Sequence, residues 1–121
     1  MEIKIIEYTF SVCKVAGECE VNLSSPFLFF AKTDEELSVV CPTEFVPKKT
    51  IVREDGWRAM RIQGTLDFSM IGVLSQIASI LAAGEISIFA VSTYNTDYIL
   101  LKKELLPKAI HLLSCNGYTF I

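Results

Sequence analysis

The sequence predicts an α+β fold of two tandem β-α-β-β-α-β repeats, the first with reduced helices. Three observations carry that reading. Runs rich in Ile, Val, Phe and Tyr, bounded by Gly, Pro, Asn or Asp, recur along the chain and read as strands. Two segments of the second half, 68–83 and 104–115, carry apolar residues at helical spacing. A similar hairpin occurs in each half: Phe30-Ala31-Lys32-Thr33 then Leu37-Ser38-Val39-Val40, against Phe89-Ala90-Val91-Ser92-Thr93 then Tyr98-Ile99-Leu100. The second half then has the ferredoxin-like order, and a repeat of about 60 residues follows, with one domain at 1–56 and the other at 57–121.

The elements follow in order. Residues 3–16 form a strand through Ile5, Tyr8, Phe10, Val12 and Val15, and Gly17 ends it. The polar interval 18–25 has room for one helical turn. Residues 27–32 form an aromatic strand, 33–36 a charged turn, and 37–41 a returning strand stopped by Pro42. Residues 42–49 hold another short turn of helix. Arg53, Glu54, Asp55 and Gly56 read as a polar break, and 57–62 as a strand with Trp57, Ala59 and Arg61 on one face and Arg58, Met60 and Ile62 on the other.

The loop at 64–67 leads into the first long helix, 68–83, with Ile71, Leu74, Ala78 and Leu81 on its apolar face and Gly84 at its C-terminal stop. The hairpin 86–103 comes next. The second helix, 104–115, buries Leu105, Leu106, Ala109, Ile110 and Leu113, and tolerates Pro107 in its first turn. Asn116-Gly117 ends that helix, and 118–121 form a last strand.

Composition narrows the function. The chain has 121 residues, 51% of them hydrophobic and 21% charged, with a net charge of −3. An apolar surplus in so short a chain points to a covered surface and a homodimer. A negative chain with scattered Lys and Arg is a poor nucleic-acid binder. The longest apolar run, 70–84, is too short and too interrupted to cross a bilayer, so no membrane association is expected. Cys13, Cys19, Cys41 and Cys115 show no Cys-x-x-Cys spacing and His111 stands alone, so neither a metal nor another cofactor is implied. Reduced thiols and a start without signal-peptide character suit the cytoplasm.

Chemistry gathers at the second hairpin turn, where Ser92, Thr93, Asn95, Thr96 and Asp97 supply hydroxyls, an amide and a carboxylate. They suit a small polar ligand, and they equally suit the turn's own backbone. A helix start near Asp67 would offer unpaired N–H groups and a dipole's positive end to a carboxylate, or Thr65 and Asp67 would simply cap it.

Ile71-Gly72-Val73-Leu74, Leu81-Ala82-Ala83-Gly84, Ile86-Ser87-Ile88-Phe89 and the segment from Ser92 to Tyr98 together resemble the ACT-domain family. Glu35-Glu36-Leu37-Ser38-Val39-Val40-Cys41 resembles the first repeat of its compact tandem branch, which includes the cytosolic arginine sensors called CASTOR. The resemblance implies a non-catalytic regulatory protein that binds an amino acid at an interface between repeats or subunits and signals to a protein partner. It places the ligand on Gly64, Thr65, Leu66, Asp67, Phe68, Ile71 and Gly72, and on Ser92, Thr93, Thr96 and Asp97. Asn95 stands where this branch often has Asp, which leaves the amino acid unspecified. The alternative is an ACT-like oligomerisation or interaction module without a ligand. An enzyme is disfavoured. Acylphosphatases share the strand order, but they need an arginine in a phosphate-cradling loop, and 64–68 holds an aspartate instead.

Overall fold

The computed structural model describes residues 1–64 and 72–121, so the expectations placed on 65–71 lie outside the described residues. The described chain falls into two compact units, one of Met1–Glu7 with Arg58–Ile121 and one of Tyr8–Trp57. Two long strands, β1 (Glu2–Val15) and β4 (Val52–Ile62), contribute to both.

In the first unit, the end of β4 leads to helix α1 (Val73–Ala83), the hairpin β5 (Ile88–Ser92) and β6 (Asp97–Lys102), helix α2 (Leu106–Cys115) and the short β7 (Thr119–Phe120). The strand order is β7-β1-β4-β6-β5. β7 does not pair with β4, the first strand of its own half. It runs parallel to β1 instead, with Glu2 opposite Thr119 and Ile3 opposite Phe120. The core lies between this sheet and the helices: Ile3, Met60, Ile62, Ile99 and Leu101 from the strands meet Ile77 and Leu81 of α1 and Leu106, Ala109 and Leu113 of α2.

Helix α1 begins at Val73, later than the apolar spacing suggests. Gly72 sits before it at φ +81, a left-handed conformation that cannot continue a right-handed helix. Its C-terminus also departs from expectation. The left-handed residue is Glu85 at φ +62, whereas Gly84 has φ −87. Gly84 serves packing instead, since a Cβ there would lie 2.4 Å from Leu112 Cδ1 on α2. Lys108 Nζ also donates to the Gly84 carbonyl at 2.6 Å, fastening α2 to the end of α1. Pro107 does fall in the first turn of α2, which a 3₁₀ turn at Lys103–Leu105 precedes.

In the second unit the order is β2-β3-β1-β4, with β2 at Phe29–Lys32 and β3 at Leu37–Pro42. Both expected helical turns are short 3₁₀ segments, Glu18–Glu20 and Thr43–Phe45. Cys13, Val15, Val39 and Cys41 form its core with Val21, Leu28, Phe45 and Val46. The buried Ser11 hydroxyl donates to Asp55 Oδ1 at 2.6 Å and lies 2.8 Å from Thr43 Oγ1, while Arg53 clamps the same Asp55 oxygen. Arg53 to Gly56 therefore belong to β4 and make no break. Residues 52–55 are all exposed and so show no alternation, and Gly56 at φ +85 lends the stretch a loop-like composition.

The two hairpins share one register at a shift of 60. Phe29 faces Val40 and Phe89 faces Leu100, while Lys32 faces Leu37 and Ser92 faces Asp97. In each, a threonine N–H closes the turn at 2.9 Å, Thr33 onto Glu36 O and Thr93 onto Thr96 O.

Candidate functional site

The β5–β6 tip is ordered by its own hydroxyls. Thr93 Oγ1 donates to the Thr96 carbonyl at 3.0 Å and lies 3.4 Å from the Thr96 N–H. Ser92 Oγ donates to Asp97 Oδ1 at 2.6 Å, directly across the ladder, and so orients the half-buried carboxylate. These bonds supply the local, turn-satisfying role of such residues.

Thr96 does something further. It is 6% exposed, and its Oγ1 donates to the Ile62 carbonyl at 2.7 Å. Ile62 is the last residue of β4, and Gly64 follows two residues later at φ +92. The tip is thus fastened to the point where the chain leaves β4. Ser92, Thr93, Thr96 and Asp97 are brought together there, beside the strand that leads to Gly64. Gly72 stands at the start of α1. Thr65, Leu66, Asp67, Phe68 and Ile71 lie outside the described residues.

One charged group near this end escaped the sequence reading. Arg61 Nε donates to Gln63 Oε1 at 2.9 Å, its Nη1 donates to Tyr98 Oη at 3.4 Å, and its guanidinium carbon lies 5.9 Å from the Tyr98 ring centre. The available signal was an arginine between Met60 and Ile62, two apolar strand residues, with a second polar residue at Gln63 on the same face.

The other titratable groups are placed simply. His111 is exposed, with Cys115 Sγ 3.8 Å from its Nε2. Cys13 and Cys41 are buried as free thiols, and burial pushes Cys13 up and Cys41 to about 11. Such thiols are poor nucleophiles and poor metal ligands at neutral pH. Among the described residues, no group of three His, Cys, Asp or Glu side chains is placed to hold a metal, and no helix is long and apolar enough to cross a membrane.

A sheet carrying two helices on one face, with its hydroxyls and carboxylate gathered at a hairpin tip, defines a small α/β module. The ACT-domain family model matches residues 52–115, and the chain belongs to the ACT-domain family. It is 32% identical over 119 residues to the Mus musculus cytosolic arginine sensor for mTORC1 subunit 1; the match covers 92% of this chain and 36% of that protein. The chain thus spans about a third of the length of the curated relatives it matches. A crystal structure of an Agrobacterium tumefaciens protein superposes with a TM-score of 0.87 at 27% identity, over 99% of this chain and 91% of that one. Aspartokinase α and β subunits share the fold, with a TM-score of 0.65 at 14% identity over 95% of this chain and 96% of that one.

Proposed function

We propose that the chain is a non-catalytic regulatory module that binds a free amino acid at the β5–β6 tip and the adjoining exit of β4. The observation that carries this reading is the Thr96–Ile62 hydrogen bond. It fastens the hairpin tip, which carries the Asp97 carboxylate and the Ser92 and Thr93 hydroxyls, to Ile62, two residues before Gly64, the first of the positions that the family resemblance associates with the ligand's own carboxylate. Asp97, oriented by Ser92, receives the ligand's ammonium or another cationic group. Ser92 and Thr93 complete the polar wall, with Thr96 fixing the tip behind them, and Thr65, Leu66, Asp67, Phe68 and Ile71, with Gly64 and Gly72, are the remaining proposed positions. The arginine-sensor relatives support an amino-acid ligand, a cytoplasmic setting and a downstream protein partner.

Tandem duplication is part of the same proposal, with repeats at 1–56 and 57–121. Its support is the constant 60-residue shift between the hairpins and between the 3₁₀ turns Thr43–Phe45 and Lys103–Leu105. In the first repeat, the 3₁₀ turn Glu18–Glu20 stands where the second has α1, and among the described residues no helix follows Thr43–Phe45 where the second has α2.

The test is backbone-amide NMR of the full chain during titration with individual amino acids. Amides at 64, 72 and 92–97 are expected to move together and saturably for one ligand class. Asp97→Ala should weaken that binding by about 10–100-fold, the worth of one charge-assisted hydrogen bond. Movement confined to another region would relocate the site.

A ligand-free interaction module is the second reading, and β5 favours it. Among the described residues this strand ends the strand order of its unit, and it carries no charged residue, a composition suited to pairing with a second copy. A concentration-dependent dimer in sedimentation, unchanged by every amino acid, is the result that would favour it.

A further inference from the structure

β4 turns Met60 and Ile62 toward α1 and α2, so Arg61 between them belongs to the opposite face of the sheet. On the neighbouring β6, Tyr98 precedes the core residue Ile99 and shares Arg61's face. Both side chains are half-buried. The guanidinium is steadied by neutral groups: the Gln63 amide oxygen at 2.9 Å, the Tyr98 hydroxyl at 3.4 Å and the Tyr98 ring at 5.9 Å.

Among the described residues no carboxylate pairs with it, unlike Lys32 with Glu18 or Arg53 with Asp55. A guanidinium drawn partly out of water is ordinarily matched by an anion. Nε and Nη1 each spend one N–H on Gln63 and Tyr98. The Nη2 pair and the second Nη1 hydrogen make no hydrogen bond among the described residues. One hydrogen on each of Nη1 and Nη2 is what an end-on fork uses to take a carboxylate through two parallel bonds.

We infer that Arg61 anchors a carboxylate-binding site on the sheet face away from the helices, taking a small organic carboxylate such as the α-carboxylate of an amino acid. Gln63 and Tyr98 are its positioning residues: they aim the fork without neutralising it. The site is separate from the tip carboxylate, because Asp97 alternates with Ile99 and Leu101 on the helix-bearing face. It stands independently of amino-acid binding at 92–97.

The test follows the Arg61 Nε–Hε resonance of the full chain by NMR, with glycine and acetate as carboxylate probes and glycinamide as an amine without a carboxylate. Glycine and acetate are expected to shift the resonance saturably in the millimolar range, as a single charge-assisted pair allows, and glycinamide to leave it in place. Arg61→Lys keeps the charge without the fork and should weaken the glycine effect about tenfold, read on the Gln63 and Tyr98 amides. Asp97→Ala should leave the Arg61 shift unchanged. No shift at about 100 mM carboxylate, far above that range, would overturn the inference and make Arg61 a strut over Tyr98. Equal responses to glycine and glycinamide would do the same. Neither result touches the amino-acid reading, whose readout is at 92–97.

Discussion

Thr96 Oγ1 donates a 2.7 Å hydrogen bond to the Ile62 carbonyl, joining the hairpin tip to the end of β4 across 34 positions of sequence. The residue is buried, so Thr96→Val removes a hydroxyl of nearly the same shape and leaves the carbonyl without this partner. The expected cost is about 1–3 kcal/mol in urea denaturation. Ligand affinity should fall as well, because the tip loses its fastening to the β4 exit. A variant with unchanged stability would show that the bond carries no net weight.

Glu85 stores backbone strain at the end of α1. Its φ of +62 is left-handed, a region that costs a non-glycine residue about 1–2 kcal/mol. Glu85→Gly should therefore raise stability by roughly 0.5–1 kcal/mol, even though glycine is usually destabilising, with the added flexibility of the unfolded chain offsetting part of the gain. Gly84→Ala meets only the far end of the Leu112 side chain and should cost little if that rotamer moves aside. Differential scanning calorimetry of the two variants separates strain at Glu85 from close packing at Gly84.

Burial holds the Cys41 thiol protonated up to about 11, above its usual 9.0. Between those values the folded chain keeps a proton that the unfolded chain releases. The contribution to stability is therefore whole below pH 9 and is lost as the pH rises through about 11. Denaturation midpoints measured across that window should fall more steeply for the parent chain than for Cys41→Ala. Among Cys13, Cys41 and Cys115, iodoacetamide should modify the exposed Cys115 first.

The buried Ser11 hydroxyl links β1 to Asp55 on β4 and to Thr43. Ser11→Ala deletes both contacts and should destabilise the chain by about 1–3 kcal/mol, measurable by urea titration. Asp55→Asn keeps an acceptor for Ser11 but weakens the Arg53 clamp. It should cost less, since Arg53 and Asp55 are partly exposed.

Elements defined by alternation or by strong punctuation were legible in the sequence. The β5–β6 hairpin, Pro107 in the first turn of α2 and the buried stripe of Leu106, Ala109 and Leu113 all fall where the pattern places them. Features set by partners far along the chain were not. Arg53 to Gly56 look like a loop because every side chain from 52 to 55 is exposed, yet Ser11 and Asp55 tie that stretch to β1. The pairing of β7 with β1 depends on where a long first strand runs, which local pattern does not encode. Glycine signals proved ambiguous for a physical reason: Gly72 uses its conformational freedom, whereas Gly84 uses its missing Cβ. At the candidate site, the gathering of Ser92, Thr93, Thr96 and Asp97 at one turn was legible from composition. The Thr96–Ile62 bond and the Arg61 fork depend on which strand lies next to which.

The most direct test of the regulatory amino-acid reading is thermal denaturation of the full chain against each of the twenty amino acids, repeated with Asp97→Ala. A ligand at 100 times its Kd adds about 2.7 kcal/mol of stability, enough to raise Tm by several degrees in a chain of this size. The account predicts such a rise for one amino acid or one chemical class, lost in Asp97→Ala. No rise for any amino acid at a hundredfold range of concentration would contradict it and leave the ligand-free interaction module as the function.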